Sequence, residues 1–175
     1  MRNLLLEVRS VRRCEGGHTC NLVANGRKVA FIGPDIFEWS SNSAKVDVID
    51  WFAAKKELGH ETPKPQKLRE GWENEVPDYK NDDKEEKVQK QILKWVGFHV
   101  QAYEIKERCK RCVIAISSYA EIFQWNVSPQ LLKRYQKEGF IDSTMQIANN
   151  LSTEEIVKLL EQRSKNGAPN KIVES

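Results

Sequence analysis

The chain has 175 residues, 39% of them hydrophobic and 30% charged, with 28 Lys and Arg against 25 Asp and Glu. That length suffices for one ordinary domain or two small ones without a covalent staple. A net charge of +3, a pI near 8.6 and a mean hydropathy of −0.63 fit a globular protein and fall short of a dedicated polyanion binder. No run nears the ~18 uninterrupted apolar residues of a membrane span, so no membrane contact is expected. The opening Leu4, Leu5 and Leu6 are cut short by Glu7 and Arg9, too soon for a signal-peptide core. Four Cys without an export signal point to an intracellular setting, cytoplasm or nucleus, where thiols stay reduced or bind metal.

Leu4, Leu6 and Val8 recur at period two and predict a strand. A glycine-containing loop, Cys14 to Cys20, follows. Asn21–Ala24 and Lys28–Ile32 flank Asn25-Gly26, a hairpin turn in which both positions tolerate positive φ. Gly33, Pro34 and Asp35 end this β-rich run. Ser41, Asn42 and Ser43 offer caps for a helix over 44–58 carrying Val46, Val48, Ile49, Trp51 and Phe52, with Gly59 as its stop. Residues 60–87, with Pro63, Pro65 and Pro77 among many charges, read as a charged linker or long loop anchored by Trp72.

Val88, Ile92, Leu93 and Val96 have helical spacing, with Gly97 as a point of interruption. Residues 98–117 leave two readings open. A strand would place Val100, Ala102 and Glu104 on one face, and Cys112 to Ile116 is either a buried strand or part of a helix. Ser128-Pro129 starts a helix that Gly139 stops. Asp142 caps a short helix with Met145, Ile147 and Ala148, and Ser152 to Glu155 forms a capping box before Ile156, Leu159 and Leu160. The tail after Ala168 reads as loose. The expected fold is α+β: an N-terminal β-hairpin region plus one helix (1–59), a charged linker (60–87), and a mainly helical C-terminal half (88–167), either as separate parts or as one composite domain.

Two cysteine pairs carry the first chemical signal. Cys109-Lys110-Arg111-Cys112 has the CxxC spacing that brings two thiolates to one metal, and Cys14 and Cys20 bracket His18. Together they supply a tetrahedral structural zinc site of four Cys, or three plus His18. Unrelated reduced thiols, a redox-active CxxC and a Cys14–Cys20 disulfide are the alternatives. Two basic clusters carry the second signal: Arg9, Arg12, Arg13 and Arg27 with Lys28, and Lys106, Arg108, Lys110 and Arg111. Each reads either as a solvated face or as a phosphate-binding surface. Zinc would join the clusters, because the cysteines interleave with them.

The leading functional expectation is therefore a non-enzymatic binding protein, zinc-stabilised, that neutralises RNA or DNA phosphates or works inside a nucleoprotein assembly. A protein–protein adaptor or inhibitor using the C-terminal helices and the acidic stretch Glu70 to Glu86 is the alternative. A second alternative is a Mg²⁺-dependent nuclease with Asp78, Glu104 and Lys106 as its metal-holding and water-activating set. Residues 143–160 have a helix-turn-helix outline, but Glu154 and Glu155 would repel phosphates, which favours a packing or protein-interaction module. Among the tryptophans only Trp95, after Lys94, approaches a base-stacking pattern. No glycine-rich phosphate loop or catalytic triad is discernible.

Overall fold

The computed structural model describes residues 4–57, 79–118, 121–142 and 145–174. The chain divides into two compact units, Met1–Val96 and Gly97–Ser175. The fold is mixed α and β. Among the described residues no helix is long and apolar enough to cross a membrane.

The first unit begins with an antiparallel meander of four strands in sequential order: β1 (Leu6–Cys14), β2 (Gly17–Ala24), β3 (Arg27–Ile32) and β4 (Phe37–Trp39). The expected loop between Cys14 and Cys20 is instead mostly strand, with the turn reduced to Glu15 and Gly16. Gly16, at φ 80°, supplies the left-handed residue that so tight a turn requires. At the next hairpin Asn25 (φ 48°) and Gly26 (φ 79°) form the expected turn. Asn25 Oδ1 also accepts the Leu5 backbone N–H at 2.9 Å, which ties the entry of β1 to this turn.

Register sorts the sheet into two faces. Val8, Leu22, Ala30 and Trp39 lie in one row, and Cys20, Ile32 and Phe37 in another on the same side. Leu22, Ala30, Cys20 and Ile32 are buried, so this is the core face. α1 (Asn42–Glu57) packs near β3 and β4 and buries Val48 and Phe52. Ser41 Oγ accepts the Ala44 N–H at 3.2 Å, as the predicted cap requires.

α2 (Tyr79–Cys109) is far longer than its apolar spacing suggested. Residues 79–87, expected as linker, form its first turns, and residues 60–78 lie outside the described residues. Val88, Ile92 and Val96, spaced by four, are buried. The Phe52 and Trp95 rings meet edge-on at 6.2 Å, and Lys45 pairs with Glu85 at 2.5 Å. Gly97 does not interrupt the helix; a single exposed glycine costs only about 1 kcal/mol relative to alanine. Residues 98–109 are thus helix, not strand, and Ala102, Ile105 and Cys109 bury the stripe that helical spacing defines.

The second unit adds a sheet to the helices expected of the C-terminal half. It holds another four-stranded sheet, in the order β7 (Gln146–Ile147), β5 (Val113–Ile116), β6 (Ile122–Trp125), β8 (Ile172–Glu174). β8 runs parallel to β6, so the expected loose tail is partly an edge strand. The expected short helix after Asp142 is replaced by β7 and a 3₁₀ turn, Ala148–Asn150. Every residue of β5 is buried, which is why its apolar run carried no period.

Ile114, Ile116 and Ile122 pack with Ala102, Ile105, Ile156 and Leu160 in one cluster, while Val113 and Ala115 pack with Ile141 and Ile147 in another. α4 (Thr153–Lys165) starts at the predicted capping box, whose two hydrogen bonds are both made. Ser128-Pro129 opens a 3₁₀ turn that leads into α3 (Leu132–Lys137), and Gly139 follows at φ 76°.

Candidate nucleic-acid interface

The sheet face opposite the first core is polar. Its rows are Glu7, Val23 and Lys28; then Arg9, Asn21, Phe31 and Glu38; then Arg12 and Thr19. Val23 alone among these is buried. A bulge between Arg9 and Arg12, with Ser10 at φ 56°, lets β1 keep Arg9 and Arg12 on the same side despite their odd spacing. Arg13 and Arg27 stand at opposite ends of the sheet, paired in register with His18 and Ala24.

Arg9, Arg12, Arg13, Arg27 and Lys28 are all exposed. Arg9 donates to Glu7 at 2.7 Å, and Lys28 Nζ lies 5.2 Å over the Phe31 ring. Arg12, Arg13 and Arg27 make no ion pair with a described residue. Residues 6–32 thus carry five Lys and Arg against two carboxylates, Glu7 and Glu15.

The second basic cluster is differently employed. Lys106 Nζ donates to the Leu151 carbonyl at 2.8 Å, and Arg108 donates to Gln124 at 3.0 Å and Glu174 at 3.4 Å. Lys110 pairs with Glu107 at 2.6 Å, one turn back on the helix end. Lys106 and Arg111 make no ion pair with a described residue, and Arg111 alone of the four also makes no side-chain hydrogen bond to one. These cations sit at the C-terminus of α2, where positive charge complements the helix dipole.

The cysteines are distributed between the units. Cys14 is exposed on β1 and Cys20 is buried on β2; Cys109 and Cys112 are buried in the second unit. Burial pushes the Cys20 and Cys109 thiols up to about 11, with Lys106 opposing the rise at Cys109. Burial also raises Cys112, whose Sγ donates to the Arg108 carbonyl at 3.0 Å. Among the described residues no three His, Cys, Asp or Glu side chains gather as a metal set.

Sequence reasoning overlooked Asn149. Its amide donates to the carbonyls of Cys109 (3.0 Å) and Cys112 (2.9 Å), and its Oδ1 accepts the Ile114 N–H at 3.0 Å. One side chain thereby closes the CxxC turn and starts β5. Arg163, fully buried on α4, was also overlooked: it donates to Asn170 Oδ1 at 3.1 Å and to the carbonyls of Ser117 and Pro169. The capping spacing marked α4 but carried no sign that one of its arginines turns inward.

For the nuclease set, Asp78 lies outside the described residues, while Glu104 and Lys106 stand on α2 and not on a strand. Glu154 and Glu155 are exposed at the start of α4, as expected. Trp95 packs against Phe52. No family model, curated protein or solved structure matches the chain.

Proposed function

We propose that this chain is a non-enzymatic nucleic-acid-binding protein that holds phosphates through the basic sheet of its first unit. The observation that carries the proposal is the contrast in how the cations are used. Arg12, Arg13 and Arg27 are exposed without an ion pair to any described residue, so phosphates would not have to displace an internal carboxylate. Lys106, Arg108 and Lys110 are already engaged. Arg111 adds a secondary contact.

Phosphate neutralisation releases counterions, so binding weakens steeply with salt. The proposal needs no zinc and no catalytic step. It is tested by titrating duplex and single-stranded nucleic acids against the full chain across a range of salt concentrations. Binding at low salt with a steep salt slope is expected, made shallower by about one per phosphate-contacting Arg removed. Indifference to every nucleic acid at low salt overturns it and leaves the adaptor or inhibitor reading.

A further inference from the structure

We infer that an aromatic face of the second unit stacks the bases of an unpaired nucleic-acid strand. The inference rests on the nucleic-acid reading above and names the form of the polymer, a single strand of RNA or DNA.

β6 alternates between two environments. Ile122 is buried in the cluster that includes α2 and α4, and Gln124 is buried against Arg108. Phe123 and Trp125 therefore project from the other side of the sheet. On that side Val113 and Ala115 of β5 are wholly buried in a cluster with Ile141 and Ile147. The cover is incomplete over β6 and β8: Phe123, Trp125 and Val173, which pairs with Phe123, are only half-buried.

The Phe123 and Trp125 rings lie 29° from parallel, with centroids 6.1 Å apart. That is about twice the 3.4 Å rise between stacked bases, so neighbouring bases of a stretched strand can each meet a ring. A second aromatic pair adjoins the same cluster. Tyr135 packs against it, as Trp125 does, and meets Phe140 at 5.3 Å. Phe140 is 58% exposed, so burial does not account for that ring.

Charge suits the same occupant. α3 turns Leu132 and Tyr135 toward the cluster, and Lys133 and Lys137, one turn apart, are exposed. Neither they nor Lys171, just before β8, makes an ion pair with a described residue. The carboxylates of residues 121–141 are Glu121 and Glu138, and Arg134 already holds Glu138 at 2.7 Å. Rings among free cations answer both parts of a single strand, the π-face of each base and the phosphate that follows it. In a duplex the base faces are spent on one another. A purely apolar partner would cover the rings and leave the lysines unanswered.

The test titrates the full chain with oligo(dT), oligo(U) and a DNA duplex at low salt, read by fluorescence anisotropy and by quenching of tryptophan emission. Both single strands should bind with quenching that Trp125→Phe diminishes. Phe123→Leu should weaken single-strand binding about tenfold while duplex binding stays within about twofold. Phe123→Tyr keeps the ring and should hold single-strand affinity within about twofold of the unaltered chain. Phe140→Ala removes the most exposed of the four rings without entering the core, and a loss of about threefold is expected. Tighter binding of oligo(U) assigns the strand to RNA and tighter binding of oligo(dT) to DNA; equal binding means that the face stacks both.

Single-strand affinity unchanged in both Phe123→Leu and Phe140→Ala overturns the stacking inference while the phosphate-binding proposal stands. Binding of the duplex alone has the same consequence. Absence of binding to all three probes overturns both.

Discussion

The two basic regions look alike in the sequence and do different work in the structure. In the first unit Arg9 and Arg12 project from the polar face of a sheet whose other face is apolar, and Arg13 and Arg27 stand exposed at the sheet's ends. In the second unit the cations close the structure: Lys106 holds a carbonyl, Arg108 bridges Gln124 and Glu174, and Arg163 is wholly internal. A positive side chain spent on backbone carbonyls is a packing device. One left in water beside others of its sign is available to an anion.

That contrast can be broken most sharply at Arg163. Replacing it with Leu leaves the Ser117 and Pro169 carbonyls without this donor, and the expected loss is about 3 kcal/mol of unfolding free energy. A urea titration checks it; a change under ~0.5 kcal/mol would show that Arg163 is not a structural cation.

Next in size is the triple variant Arg12→Ala, Arg13→Ala, Arg27→Ala. It should bind duplex DNA on the order of 100-fold more weakly at 0.1 M salt while its stability changes by less than ~0.5 kcal/mol. Lys110→Ala with Arg111→Ala should weaken binding no more than about threefold. Fluorescence anisotropy on both variants would reverse the assignment of roles if the double variant lost more.

Asn149→Ala removes three hydrogen bonds to the backbone at the CxxC turn, and a loss of about 2 kcal/mol is expected. Faster amide exchange at Ile114, whose N–H loses its acceptor, would accompany that loss. Retained protection there would mean that the turn closes without Asn149.

The thiols sharpen the comparison in a pH profile. Cys20 and Cys109 titrate near 11 in the folded chain against an ordinary value of 9.0. Between these values the unfolded chain has lost protons that the folded chain still binds, so stability falls as pH rises. Their contribution is complete below about pH 9 and lost by about pH 11. Thermal melts across this window should show the decline, and Cys20→Ala or Cys109→Ala should flatten it. The smallest effect is at Ser152→Ala, where loss of the α4 capping box costs about 1 kcal/mol, read as a lower urea midpoint.

Much of the local structure was legible. The Asn25-Gly26 turn, the α1 cap, the α4 capping box and the Gly139 stop each depend on a few neighbouring residues, so their chemistry is visible in one short window. β5 was not, because a strand buried on both faces has no alternation. Residues 98–109 were ambiguous because their buried stripe becomes distinct only when the surrounding core shows which side is covered. Ile147 and Ile172 belong to β7 and β8, strands of two and three residues whose pairing comes from distant chain.

The candidate interface was legible only as an inventory. Composition and spacing alone determined that the protein is a mixed α and β chain with cations gathered in two places and thiols in two pairs. Tertiary structure decided which cations meet water, because that depends on the β1 bulge that keeps Arg9 and Arg12 on one face and on the carbonyls and carboxylates that capture Lys106, Arg108 and Lys110. Glu107 is a local partner of Lys110, but Leu151, Gln124 and Glu174 come from remote segments, and only folding brings them within hydrogen-bonding reach.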